Sequence, residues 1–169
     1  LDVDPARIAV AGDSAGGNLA AVVALVARED GGPAIKFQAL LYPSTDMRMG
    51  APSHKLFTEH LLTPAAMAYF RRHYLRSEAD KTDWRASPLL ATESIGLQGL
   101  PPALVLTAGF DPLRDEGKAY AEAMKGAGVD VEYVNFSGQI HGFLTLDALI
   151  PQALEAVDVT ASAIQAALR

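Results

Sequence analysis

The chain contains no cysteine. Disulfides, cysteine-ligated metals and a thiol nucleophile are therefore excluded. No Lys/Arg cluster stands out, and the formal net charge is -6. An acidic balance of this kind favours solubility and gives no footprint for a phosphate backbone, so no nucleic-acid partner is expected. Long hydrophobic runs are also missing. The longest apolar stretch, Leu19 to Ala27, is too short for a bilayer, so no membrane span is expected. No secretory signal is recognisable, and there is no initiator Met. The first residues read as the middle of a protein, and the missing cysteine is compatible with a reducing compartment, so a cytoplasmic location is the expectation.

What is present is an alternation of two patterns. Arg7 to Ala11 and Phe37 to Tyr42 are short, apolar and closed by Gly12 and Pro43. Both read as buried parallel strands. Asn18 to Arg28 lies between them and is apolar on almost every side, as expected of a helix deep against a sheet. Two further strands are predicted at Ala103–Ala108 and Val129–Phe136, with helices near Asp115–Lys125 and Pro151–Leu168. The order predicts an α/β fold, with a parallel sheet flanked by helices.

The middle segment differs. Residues 46–90 hold three of the four histidines and much of the aromatic and Met content. Thr63-Pro64 predicts a helix start, with Thr as N-cap and Pro at the first helical position. Met67, Phe70 and Tyr74 would share one face of that helix. Such a stripe reads first as core and second as the overhang of a substrate pocket. The chain then divides into core at 1–45, an inserted segment at 46–90, and core again at 91–169.

The chemistry concentrates at strand ends. Gly12-Asp13-Ser14-Ala15-Gly16 is G-x-S-x-G, directly after one strand and before one helix. That context predicts a sharp, strained turn presenting the Ser14 hydroxyl. Gly12 and Gly16 are expected to be glycine because side chains there would clash, and Gly17 extends the room. The N–H of Ala15, at the positive end of the helix, is the natural donor to an oxyanion. Asp13 reads as a structural loop contact. Asp111 follows the third strand and His141 the fourth. In a parallel sheet all three then lie outside the carboxyl ends of strands. A serine hydroxyl needs a base, His141 supplies one, and Asp111 would orient the imidazole. The competing acids are Asp46, Asp115 and Glu116, the last two expected to favour a helix N-terminus. The competing bases are His54, His60 and His73, all in the insert.

With these residues in hand, the chain resembles the hormone-sensitive-lipase-like esterases, also called bacterial family IV, of the α/β-hydrolase fold. The resemblance runs through Gly12 to Asn18, Tyr42-Pro43, Ser87-Pro88-Leu89, Leu100 to Ala103, Asp111 to Gly117 and His141-Gly142-Phe143. It implies hydrolysis of small carboxylic esters with short acyl chains, no cofactor and no metal. It implies that the insert belongs to a helical cap, and that the complete enzyme forms homodimers, often through its last strand. Members of that family also carry an upstream half with further strands and a His-Gly-Gly-Gly loop of oxyanion donors, absent from this sequence. A companion polypeptide bearing that half is therefore expected, and the chain alone is expected to be incompetent. Phe57, Leu61 and Met67 are candidates for pocket lining, and Phe143 for packing. The same elbow also serves peptidases, amidases and deacetylases. Hydrolase-like proteins that only bind typically lack the base, and His141 weighs against that reading.

Overall fold

The computed structural model describes residues 3–169. Its elements run β1 (Ile8–Asp13), α1 (Ala15–Glu29), β2 (Ile35–Leu41), α2 (Ser53–Leu56), α3 (Pro64–Tyr74), β3 (Ala103–Phe110), α4 (Arg114–Gly126), β4 (Val131–Ile140) and α5 (Gln152–Ala167). Short 3₁₀ turns lie at Glu78–Thr82, Pro88–Glu93 and Phe143–Leu146. The four strands form one parallel sheet in the order β1-β2-β3-β4. The predicted alternation and the parallel sheet are both borne out.

Strand β3 shows why the apolar runs are continuous. Every residue from Ala103 to Gly109 is buried. Ala103 and Val105 face a core shared with Ala21, Leu25, Tyr120 and Met124, from α1 and α4. Leu104, Leu106 and Ala108 face the opposite side, where Ala153, Ala156 and Ile164 of α5 cover the sheet. A central strand with helices on both faces has no polar side to show.

Strand β1 departs from the expectation of burial. It pairs only with β2, and none of its six residues is fully buried. Helix α1 likewise buries one face through Ala20, Ala21, Ala24 and Leu25, while Leu19 and Val23 stand about half exposed at 53% and 47%. The apolar character of α1 is all-round, but its contacts are one-sided. Strand β4 runs to Ile140, four residues past its predicted end. Ser137-Gly138-Gln139 has a loop composition. An edge strand tolerates it, because the ladder is made by backbone groups. The added length delivers His141.

Asn18 ties two loops to α1. It is 2% exposed, and its side-chain amide donates to the carbonyls of Ser44 and Ala86, both at 2.8 Å. Asn18→Ala is expected to cost roughly 2–6 kcal/mol, because two largely buried acceptors lose their donors at about 1–3 kcal/mol each. A urea midpoint equal to that of the parent would overturn this account.

Candidate active site

Ser14 stands between β1 and α1 with φ 53° and ψ -114°, a conformation rare for a residue with a side chain. The turn is held from below. Ser14 N–H donates to Leu41 at 2.8 Å, and its carbonyl accepts from Asn18 and Ser44 at 3.1 and 3.2 Å. The glycines around it are not equivalent. A Cβ on Gly12 would lie 2.2 Å from the Gly16 carbonyl oxygen, and one on Gly17 would lie 2.9 Å from Pro43. A Cβ on Gly16 would meet only the Asp13 carboxylate, at an ordinary 3.8 Å. The crossing of β1 and α1 therefore demands glycine at Gly12 and Gly17. The expected clash at Gly16 does not occur.

Asp111 begins the loop after β3 and is fully buried. One carboxylate oxygen accepts from the Leu113 N–H at 2.8 Å, and the other lies 2.8 Å from His141 Nδ1. His141 follows β4 and is 7% exposed. Its Nε2 lies 2.9 Å from the Ser14 hydroxyl. Residues 127 positions apart thus form one hydrogen-bonded line at the carboxyl ends of three parallel strands. Tyr42 packs edge-on to the His141 ring, with centroids 5.0 Å apart, and its hydroxyl donates to Asp13 at 3.4 Å. Burial, together with the charge of Asp13, pushes the Tyr42 phenol well above its ordinary range, so it stays a donor. Ala15 is the first residue of α1, beside Ser14.

The competing groups are engaged elsewhere. Asp46 pairs with Arg48 at 2.8 Å, and Asp115 pairs with Arg114 at 2.8 Å. His60 sits edge-on to Phe110, and His73 packs on Tyr69. His54 and Glu116 face each other at 2.8 Å, at 5% and 2% side-chain exposure. Glu116 is therefore a buried partner, not only a charge favouring a helix N-terminus. The sequence placed the two residues 62 apart with no shared motif, and nothing local announced the pair.

A cavity of about 700 Å³ opens over Ser14 and His141. Its walls are mainly apolar, with Leu19, Met47, Met49, Leu61, Met67 and Phe70 prominent. Thr63 caps α3 as expected, accepting from the Ala66 N–H at 3.2 Å. The stripe on that helix is not core. No α3 residue is buried, and Met67, Phe70 and Tyr74 line the cavity. Phe57 lies apart from it, edge-on to Phe110 and beneath the Arg114 guanidinium. Phe143 is fully buried against Tyr42 and Phe136, a packing position.

A model of the alpha/beta hydrolase fold family matches residues 1–145. The chain belongs to the α/β-hydrolase-fold family. Within that family it is 49% identical over 148 residues to the carboxylic ester hydrolase LipN of Mycobacterium tuberculosis, covering 84% of this chain and 39% of LipN. It is 43% identical to the carboxylesterase NlhH of the same organism, covering 99% of this chain and 53% of NlhH. The solved structure of an α/β-hydrolase enzyme from the metagenome of Lake Arreo, Spain, superposes with a TM-score of 0.92 at 47% identity. That match covers 97% of this chain and 51% of the enzyme. The chain spans about half the length of the relatives it matches, and the resemblance to the esterases of this α/β-hydrolase family holds along it. No helix among the described residues is long and apolar enough to cross a membrane.

Proposed function

We propose that this chain carries the catalytic centre of a serine carboxylic-ester hydrolase, with Ser14 as nucleophile, His141 as base and Asp111 as the acid that orients it. The observation that carries this reading is the unbroken line from Asp111 through both ring nitrogens of His141 to the Ser14 hydroxyl. The kinship with proteins named carboxylic ester hydrolase and carboxylesterase supports the choice of ester over amide.

His141 Nε2 takes the Ser14 proton as the oxygen adds to the ester carbonyl. The resulting oxyanion accepts from the Ala15 N–H, with the α1 dipole behind it. The protonated His141 then gives its proton to the departing alkoxide, leaving an acyl-Ser14 ester and a free alcohol. A water, deprotonated by His141, attacks that ester. Ser14 leaves with the proton, and the carboxylic acid is released. No cofactor or metal enters this sequence of steps. A small apolar acyl chain fits the Met- and Leu-lined cavity, and residues 46–90 act as part of a cap over it.

The further oxyanion donors and a neighbour for β1 are proposed to come from the segment that the relatives carry and this sequence does not. The half-exposed Leu19 and Val23 of α1 and the unpaired edge of β1 are surfaces such a segment would cover. The completed enzyme is further proposed to be a homodimer paired through the free edge of β4.

The test is intact-mass analysis after incubation with a small fluorophosphonate. One adduct on this chain, mapped to Ser14, is expected. An adduct on another residue, or none while ester turnover persists, would refute the assignment.

A further inference from the structure

Ser14 and Asp111 sit on separate loops, and His141 can serve both only while those loops keep their spacing. A small network beneath the cavity joins them. Glu116 lies in the first turn of α4, just beyond the Asp111–Leu113 loop. One of its carboxylate oxygens accepts from the backbone N–H groups of Thr45 and Asp46, at 2.6 and 3.2 Å. The residue before them, Ser44, donates its own N–H to the Ser14 carbonyl at 3.2 Å. The Ser44 carbonyl in turn accepts from Asn18 of α1. The other Glu116 oxygen faces His54 of α2 at 2.8 Å. Next to His54, the Ser53 hydroxyl donates to the Pro112 carbonyl at 2.6 Å, one residue from Asp111, and its N–H donates to Asp115 at 2.9 Å.

Resting on the reading of Ser14 and Asp111 given above, we propose that Glu116 is a positioning residue, whose reach to Thr45, Asp46 and His54 sets the spacing between the Ser14 turn and the Asp111 loop. It touches none of the three reacting side chains and acts through the backbone on either side of them. Its burial argues for such a role. A carboxylate with 2% exposure is expensive to desolvate, and an apolar residue of similar size would often hold two elements together as well or better. What an apolar residue lacks is a pair of directed acceptors. Burial pushes the Glu116 carboxyl up, against the pull of His54 and the two N–H groups. Two backbone N–H groups are directed at one oxygen, and His54 faces the other. Burial lowers the His54 imidazole, and the facing Glu116 carboxylate more than offsets it, so its pKa is raised.

The experiment separates reach from charge. It uses the assembled enzyme and three variants, Glu116→Gln, Glu116→Asp and Glu116→Met. Fluorophosphonate labelling taken to completion counts the intact Ser14 sites, and kcat is expressed per counted site. Gln keeps the acceptor at full reach and loses the charge, so its kcat per site is expected to stay near that of the parent. Asp keeps the charge and withdraws the acceptor by one methylene, and Met removes the acceptor. Both are expected to lose on the order of 10- to 100-fold in kcat per site at unchanged KM, the effect of a misplacement near 1 Å. A structural role alone would lower the number of intact sites and leave kcat per site untouched, which would overturn the proposal. The reverse order, with Gln slow and Asp normal, would overturn it too. A parent enzyme that turns over ester without labelling at Ser14 would instead remove the triad reading, and this proposal with it.

Discussion

Replacing Ser14 by Ala is expected to lower ester turnover about 10⁶-fold, the scale seen when the nucleophile of a working triad is removed. Only one contact of the hydroxyl bears on the chemistry, the 2.9 Å hydrogen bond to His141 Nε2. Without it no acyl-enzyme forms, and water must attack the ester directly. The fold should barely notice. The backbone bonds of Ser14 to Leu41, Asn18 and Ser44 involve no side-chain atom, and Ala at φ 53° is no more strained than Ser. The melting temperature is therefore expected to move by no more than a surface-type substitution allows, within about 0.5 kcal/mol. Steady-state hydrolysis of an activated short-chain ester and a thermal melt on the same sample check both halves. Turnover within tenfold of the parent would mean that another group is the nucleophile. A large loss of stability would mean that the Ser14 hydroxyl is a structural element of the turn.

The parts of this site that were legible in the sequence are those encoded by local backbone demands. Gly12 and Gly17 are there because a Cβ would collide at 2.2 and 2.9 Å, and such collisions leave a dense glycine signature around Ser14. Asp111 and His141 could be read because apolar strands stop just before them, and in a parallel sheet those stops converge. Thr63-Pro64 announced α3 through its own cap. The illegible parts depend on what lies across space. The stripe of Met67, Phe70 and Tyr74 has a helical period whether it faces a core or a cavity, and period alone does not distinguish the two. The exposure of β1 and of Leu19 depends on which strands sit beside them, a matter of topology and not of their own residues. Glu116 looked like an ordinary first-turn acid because its partners, Thr45, Asp46 and His54, lie at least 62 positions upstream.

Asp111→Asn tests the far end of the line, and the surrounding hydrogen bonds dictate its outcome. The two carboxylate oxygens have different partners. One accepts from the Leu113 N–H at 2.8 Å and the other faces His141 Nδ1 at 2.8 Å. Asn has the same shape but only one acceptor. Leu113 is a backbone donor in a fully buried loop and cannot turn away, so it claims the amide oxygen. The amide NH₂ is then left facing His141 Nδ1. A donor in that place forces the imidazole into the tautomer with its proton on Nε2. His141 would then offer a proton to the Ser14 hydroxyl when it should take one. Turnover is expected to fall about 10⁴-fold, with KM little changed, because the geometry survives and only the proton is on the wrong nitrogen. If Asp111 were merely a turn former before Pro112, Asn would serve the Leu113 N–H equally well and kcat would stay within a few-fold of the parent. The two accounts thus differ by about four orders of magnitude in one rate, although they make the same claim about the fold.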